Sequence, residues 1–151
     1  IDVNENRLRF CKEDLQVPYT INAMDTDVNE QLMQITNGDM PTVLIDATGN
    51  LKAINNAFQY MSHGARFVLV GLQKEHLSFS HPEFHKREAT LMSSRNATRE
   101  DFDYVISSLK NKKIDHLKFI THRVSFEELA TAFPSYLKPE TGVIKAMVNM
   151  P

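Results

Sequence analysis

Residues 41–72 read PTVLIDATGNLKAINNAFQYMSHGARFVLVGL, and their pattern is the main basis for predicting the fold. The apolar, β-branched run over 42–47 predicts a strand. Apolar residues then recur at helical spacing over 51–61, and Gly64 is placed to end the predicted helix. A second apolar run over 65–70 predicts another strand. Together they form a strand–helix–strand unit of about 30 residues, whose two strands we expect to be parallel.

The two strands of this unit are apolar almost throughout, which indicates a sheet that is covered on both faces. Ligands of such sheets bind beyond the carboxyl ends of the strands. The sequence therefore predicts that residues 46–50 and 70–72 form the functional edge.

The rest of the chain alternates between helices and strands in the same way. The pattern predicts helices over 5–15, 27–36, 81–88, 99–112 and 126–136, and strands over 19–23, 77–80, 90–94, 120–124 and 142–149. Two helices begin with a capping-box pattern, Thr98 with Asp101 and Ser125 with Glu128. This alternation favours the α/β class with a mostly parallel sheet.

The composition is that of an ordinary globular domain. The 151 residues are 42% hydrophobic and 24% charged, and the net charge of -2 gives no sign of nucleic-acid binding. No apolar run is long enough to span a membrane. The single cysteine, Cys11, excludes an internal disulfide and favours a reducing compartment, so we expect a cytoplasmic protein. The chain starts at Ile1 without a methionine, and we expect a longer protein whose beginning lies upstream.

Asp2 stands at the end of a short predicted strand and before a predicted helix. In a dinucleotide-binding fold, an acidic residue at this place binds the ribose hydroxyls of the adenosine and repels a 2′-phosphate. An aspartate that caps a helix occupies the same place in sequence. The glycine fingerprint that would distinguish these two interpretations does not occur in the chain.

Six segments, in this order and spacing, resemble the second half of a zinc-type medium-chain alcohol or polyol dehydrogenase. They are IDVNENRLRFCKEDL (1–15), VLIDATGN (43–50), ARFVLVGL (65–72), KREATLMSSRN (86–96), ITHRVSFEELATAF (120–133) and GVIKAMVNM (142–150). The resemblance implies a Rossmann-like, doubly wound α/β domain over 1–151, truncated at its N-terminus. The first strand, the glycine-rich turn and the zinc-binding catalytic domain are then expected outside this chain.

The resemblance also implies which residues contact the cofactor. They are Asp2 and Arg7 at the adenosine ribose, Thr48 on the adenine side, Val70, Gly71 and Leu72 against the nicotinamide, Ser93 near its carboxamide, and Lys145 at the pyrophosphate. Asp2 implies NAD rather than NADP. Lys145 fits a solvated lysine at a strand edge equally well.

The run around Arg95 most resembles family members that oxidise polyols or sugar acids. A guanidinium binds a carboxylate with two parallel hydrogen bonds, although Arg95 also fits a residue that only pairs locally. We therefore expect a small alcohol, polyol or sugar-acid substrate.

In the full-length enzyme, zinc would polarise the alcohol oxygen. We expect this chain to supply neither a zinc ligand nor a catalytic residue. His81, His85 and Glu88 share helical spacing, but an exposed surface helix explains them better.

Two other functions remain open at this point. One is a zinc-independent, quinone-reductase-like member of the superfamily that uses NADPH, which Asp2 opposes. The other is a non-catalytic α/β module that binds a nucleotide or a protein.

For assembly, the resemblance implies a homodimer or tetramer formed through the edge strand Leu77–Ser80. We also expect a gap in the sheet beside 42–47. Either abnormal pairing of 19–23 or a segment of another chain would then compensate for it.

Overall fold

The computed structural model describes all residues from 1 to 151, which divide into two compact units. The first contains residues 1–3 and 19–96, and the second contains residues 4–18 and 97–151. In chain order the elements are α1 (Glu5–Glu13), α2 (Val28–Ile35), β1 (Val43–Asp46), α3 (Leu51–Ala57), β2 (Arg66–Leu69), α4 (His81–Lys86), β3 (Thr90–Ser93), α5 (Arg99–Lys110), β4 (Ile120–Ser125), α6 (Leu129–Tyr136) and β5 (Lys145–Asn149). No helix combines the length and apolar character needed to cross a lipid bilayer.

The first unit is built on a parallel sheet in the order β1-β2-β3. Val43 pairs with Arg66, and Arg66 pairs in turn with Thr90. Helix α3 connects β1 to β2 and is capped by Asn50, whose side chain accepts a hydrogen bond from the N–H of Ala53 at 3.1 Å. The strand–helix–strand unit predicted from residues 41–72 is confirmed, but α3 ends at Ala57 and not at Gly64.

The core of the first unit lies between α3 and β2. Its buried members are Ile54, Phe58, Met61, Ala65 and Phe67, which come from α3, the segment after it and the start of β2. The rings of Phe58 and Phe67 meet edge to face with centroids 5.1 Å apart. Burial of each large apolar side chain contributes about 1.5–3 kcal/mol. This packing fixes α3 against the sheet, and so fixes the loops at the carboxyl ends of the strands.

The strand predicted over 19–23 is reduced to one parallel bridge between Asp2 and Asn22. The N–H of Asp2 donates to the carbonyl of Ile21 at 3.1 Å, and the N–H of Ala23 donates to the carbonyl of Asp2 at 3.0 Å. These residues do not join β1, whose only partner is β2. Ile45 on β1 is 67% exposed. The expected gap beside β1 is present, and an apolar groove lined by Ile1, Ala23, Val28, Leu32 and residues 43–46 runs along it.

The prediction of an edge strand at Leu77–Ser80 is wrong, because this segment pairs with no strand. The ring of Phe79 stacks on Phe58 with centroids 4.3 Å apart. The N–H of Ser78 donates to the Asn55 side-chain oxygen at 3.0 Å, and Ser80 caps α4. Side-chain packing and capping therefore replace strand pairing here. The two edge strands of the sheet are β1 and β3.

In the second unit, β4 and β5 form a separate parallel sheet. The strand predicted over 142–149 is shorter than expected, and it pairs with β4 rather than with the strands of the first unit. Helix α6 also begins later than predicted, at Leu129. The Ser125 hydroxyl bonds to the Glu128 carboxylate at 2.9 Å as expected, but the N–H of Phe126 donates to the carbonyl of Asn149 at 3.1 Å. The N–H of Leu129 donates to the carbonyl of Phe126 at 3.3 Å, three residues earlier, so a tighter turn precedes α6.

Helix α5 begins with the predicted capping box. The N–H of Thr98 donates to the Asp101 carboxylate at 2.8 Å, and the N–H of Asp101 donates to the Thr98 hydroxyl at 3.4 Å. The backbone and side-chain hydrogen bonds from Thr98 lower the pKa of Asp101. Its stabilising effect is therefore present above the ordinary pKa of an aspartate and is lost as the pH falls through the lowered value.

Candidate functional site

Asp46 connects two loops at the carboxyl ends of the main sheet. It ends β1 and is buried. Its Oδ1 accepts hydrogen bonds from the N–H and the hydroxyl of Thr48, at 3.2 and 2.6 Å, and its Oδ2 accepts from the N–H of Gly49 at 3.1 Å. Its backbone carbonyl accepts from the N–H groups of Val70 and Gly71, both at 2.9 Å. The residue therefore bonds to its own loop and to the loop that follows β2.

The two loops approach so closely that only glycine fits at two positions. A Cβ placed on Gly71 would lie 2.3 Å from the backbone nitrogen of Gly49 and 2.9 Å from Oδ2 of Asp46. Gly49 has a φ of +61°, and a Cβ on it would lie 2.8 Å from the carbonyl oxygen of Leu72. Contacts this short do not occur between real atoms, so the backbones lie directly against each other.

The predicted nicotinamide positions form an exposed surface beside these glycines. The side chains of Val70 and Leu72 are 51% and 93% exposed. Ser93 ends β3 and pairs in register with Leu69, the last residue of β2. Arg95 follows two residues later and is exposed. The structure thus brings the loop after β2 next to the end of β3, as the parallel order predicts.

Asp2 does not cap α1. The N-cap is Asn4, whose side-chain oxygen accepts from the N–H groups of Asn6 and Arg7 at 3.0 and 3.2 Å. The carboxylate of Asp2 instead accepts from the N–H of Val3 at 2.7 Å, while its backbone pairs with 21–23. The capping interpretation of Asp2 is therefore wrong, and its role at the adenosine ribose stays a prediction.

The predicted cofactor residues are divided between the two units. Asp2, Thr48, Val70, Gly71, Leu72 and Ser93 belong to the first unit, and Arg7 and Lys145 belong to the second. Arg7 lies on α1 and lines a cleft of the second unit with Tyr136 and Ile144. Lys145 begins β5 and is exposed. The roles of all these residues stay predictions.

The histidines of α4 do not complete a metal site. The rings of His81 and His85 lie edge to face with centroids 5.8 Å apart. Glu88 lies beyond the end of the helix and has a φ of 50°, so it does not continue the same helix face. No group of three or more His, Cys, Asp or Glu residues in 1–151 is arranged to hold a metal ion.

Sequence reasoning missed the roles of Asp46 and Gly49. The sequence did contain a signal, because an aspartate is followed closely by threonine and glycine. This composition is typical of a turn in which the aspartate side chain bonds to backbone N–H groups two and three residues later. The contact between Gly49 and Gly71 has no such signal, because it joins two loops that are far apart in sequence.

Comparison with solved structures defines the class of protein. An oxidoreductase of unknown specificity from Escherichia coli matches with a TM-score of 0.90 at 19% identity, over 99% of this chain and 42% of that chain. An alcohol dehydrogenase from Escherichia coli CFT073, solved with NADH, matches with a TM-score of 0.86 at 27% identity, over 98% of this chain and 43% of that chain. The fold is the Rossmann-like fold of dehydrogenase coenzyme-binding domains.

The family follows from the sequence. The family model for zinc-binding dehydrogenases matches residues 1–111, and the chain belongs to this family. L-galactonate-5-dehydrogenase from Escherichia coli (strain K12) is 41% identical over 148 residues, which are 98% of this chain and 43% of that enzyme. The chain therefore spans less than half the length of the relatives it matches.

Proposed function

We propose that this chain is the coenzyme-binding part of an NAD-dependent, zinc-type dehydrogenase that oxidises a secondary alcohol of a polyol or sugar acid. The observation that carries the proposal is the exposed apolar edge at Val70 and Leu72, held by Asp46 at the carboxyl ends of the strands. Ligands of parallel α/β sheets bind at this edge. The bound nicotinamide would supply the hydride chemistry.

The residues present fit the two nucleoside ends of such a cofactor. Val70 and Leu72 offer exposed apolar surface to an aromatic ring. The hydroxyl of Thr48 donates to Asp46 and accepts from the N–H of Asn50 at 3.0 Å, so Thr48 would contact the adenosine through its methyl group and backbone. The chain contains no G-x-G-x-x-G fingerprint, so a phosphate cradle of that kind would come from other residues.

Asp2 supports NAD as the cofactor. A carboxylate at the adenosine ribose accepts hydrogen bonds from two hydroxyls and repels the 2′-phosphate of NADP. The observation that Asn4, and not Asp2, caps α1 supports this role. The same reasoning opposes an NADPH-dependent, quinone-reductase-like activity.

The proposed substrate class rests on Arg95 and on one relative. Arg95 is exposed just beyond the end of β3, where its guanidinium is available to a carboxylate. The name of the relative from Escherichia coli K12 specifies L-galactonate, which is a sugar acid.

Zinc would be held by residues outside this chain, because residues 1–151 offer no three-ligand group. A single cysteine, Cys11, supports a reducing compartment such as the cytoplasm.

A chimera tests the proposed function. The part of L-galactonate-5-dehydrogenase that matches this chain, 43% of that enzyme, is replaced by the chain itself. We expect the purified chimera to contain zinc and to reduce NAD in the presence of a sugar acid, whereas the 151-residue chain alone is inactive and holds no stoichiometric zinc. A folded, zinc-loaded chimera that oxidises neither sugar acids nor polyols would overturn the proposal. A non-catalytic binding module would then be the better assignment.

We also propose a homodimer, formed through the edge strand β3. Residues Thr90–Ser93 are exposed throughout and have no partner on their outer side. The N–H groups of Thr90 and Ser94 both donate towards β2, at 2.9 Å. Because N–H groups alternate in direction along a strand, the N–H of Leu91 points away from β2. An apolar, unpaired edge favours pairing with a second copy across a twofold axis.

Leu91→Pro is expected to convert the dimer to a monomer without unfolding it. Proline is tolerated where a strand N–H faces away from its sheet, but it removes the donor that a partner strand needs. Met92→Pro is the matched control and should unfold the first unit, since its N–H faces β2 by the same alternation. Light scattering measures the mass. A Leu91→Pro protein that is still dimeric would place the interface elsewhere.

A further inference from the structure

Asp46 is not among the residues predicted to contact the cofactor, yet it makes more hydrogen bonds than any side chain at the functional edge. Its carboxylate accepts from three donors in its own loop, and its carbonyl accepts from two N–H groups in the next loop. The other buried polar side chains, Ser62 and Ser108, only bond to carbonyls near them in sequence. Among these residues, only Asp46 combines a carboxylate that orders its own loop with a backbone carbonyl that accepts from the next loop.

We propose that Asp46 is the positioning residue of the cofactor edge, because it holds the loops 46–50 and 70–72 in one fixed arrangement. The inference rests on the proposed function, since it assigns to Asp46 the task of presenting Thr48, Val70 and Leu72 to the cofactor. Asp46 itself is buried beneath this surface and acts through its neighbours.

The carboxylate of Asp46 first fixes the conformation of Gly49. In a free loop a glycine adopts many backbone conformations, so a loop with one structure needs interactions that select one of them. The bond from the N–H of Gly49 to Oδ2 of Asp46, together with the two bonds from Thr48 to Oδ1, selects the observed left-handed conformation. The carboxylate therefore determines where the backbone of Gly49 lies.

The second step is the contact between the loops. The backbone atoms of Gly49 fill the space that a Cβ on Gly71 would occupy, and the carbonyl of Leu72 lies above Gly49. If Gly49 moves, Gly71 and Leu72 both lose their packing contact with it. The bonds from the N–H groups of Val70 and Gly71 to the Asp46 carbonyl anchor the second loop to the same residue. The two loops are thus coupled through Asp46.

The third step is the connection to α3. The hydroxyl of Thr48 donates to Asp46 at 2.6 Å and accepts from the N–H of Asn50, which in turn caps α3 through Ala53. Every member of this network has its partner, and no buried side-chain nitrogen or oxygen is unpaired in the structure. A satisfied polar network of this kind rigidifies the segment that contains it.

Asp46→Asn tests the proposal, because asparagine has the same shape but presents an NH2 group where the structure needs an acceptor. In either orientation a donor would face the N–H of Gly49 or the donors of Thr48. We expect amide hydrogen exchange at Gly49 and Gly71 to accelerate together by about tenfold. We also expect the NAD-induced amide shifts of Val70 and Leu72, measured per millimolar NAD, to fall by about fivefold or more.

Two comparisons separate positioning from general stability. Ile54→Val removes a methyl group from the core and should lower stability while it leaves the NAD response of Val70 and Leu72 unchanged. Asp39→Asn makes the same change from carboxylate to amide at an exposed aspartate of the first unit, outside the two loops, and should leave the NAD response unchanged.

The outcomes are distinguishable from those of the proposed function. If the unmodified chain responds to NAD and Asp46→Asn responds equally, the positioning role is refuted and the proposed function stands. If the unmodified chain shows no response up to about 10 mM NAD, the proposed function fails and this inference fails with it. Separate rather than joint acceleration of exchange at Gly49 and Gly71 would also refute the coupling.

Discussion

Gly71→Ala is expected to lower the free energy of unfolding by about 2 kcal/mol or more and to remove the cofactor edge. The new Cβ would lie 2.3 Å from the Gly49 nitrogen and 2.8 Å from its Cα, and both are backbone atoms that cannot rotate away. The loops must separate to make room, and the bonds of Val70 and Gly71 to the Asp46 carbonyl are then lost or lengthened. Urea unfolding followed by circular dichroism measures the change in stability.

Gly64→Ala is the matched control. Nothing lies within 4 Å of a Cβ at Gly64, so the substitution there meets only the strain of its φ of +68°. That strain costs about 1–2 kcal/mol, and the edge residues should still respond to NAD. Equal stability and equal NAD response in the two variants would show that the close contact between Gly49 and Gly71 is not required.

Asp2→Ser, made in the chimeric enzyme, is expected to lower kcat/KM for NAD by roughly 100-fold and to raise it for NADP. The substitution removes a charged acceptor of two ribose hydroxyls, worth about 1.5–3 kcal/mol for such a bond. It also removes the charge that repels the 2′-phosphate. The backbone of Asp2 is fixed by hydrogen bonds with Ile21 and Ala23, which do not involve the side chain, so the change should not disturb the fold.

Asp39→Ser provides the control, because Asp39 is an exposed aspartate of the same unit and lies in a turn. Steady-state kinetics with both cofactors give the ratio of the two kcat/KM values. If Asp2→Ser leaves that ratio at the value of the Asp39→Ser protein, Asp2 does not select the cofactor, and the NADP-dependent alternative returns.

The strand–helix–strand unit was predictable because its signals are local. Residues 42–47 and 65–70 are continuous apolar runs, and residues 51–61 repeat at helical spacing. The capping box at Thr98 was predictable for the same reason, since its two side chains are only three residues apart. In each case the interactions that decide the structure lie within a few residues of each other.

The errors came from interactions that are distant in sequence. The alternating pattern of Leu77–Ser80 is typical of a strand, but Phe79 stacks on Phe58, which lies some twenty residues earlier. The partner of β5 is set by the pairing of 120–125 with 145–149, which lie some twenty residues apart. Periodicity reports which face of an element is apolar, but it does not report which element covers that face.

The candidate site shows the same division. The order of parallel strands was enough to predict that the segments 46–50 and 70–72 meet at one edge. It did not reveal that Asp46 would be buried with five hydrogen-bond donors around its carboxylate and carbonyl, or that Gly49 and Gly71 would touch. Those features depend on distances of a few ångströms between two loops, which no spacing rule contains.

A titration of the 15N-labelled chain with NAD tests whether the loops 46–50 and 70–72 bind the cofactor. Amide shifts report each residue separately, so the binding surface is located as well as its affinity. We expect shifts at 46–50, at 70–72 and at Ser93, with a dissociation constant of about 1–10 mM because the chain has no glycine-rich phosphate cradle, and smaller shifts with NADP. Shifts confined to other surfaces, or none at about 10 mM NAD, would contradict the claim that this chain presents the coenzyme-binding edge of a dehydrogenase.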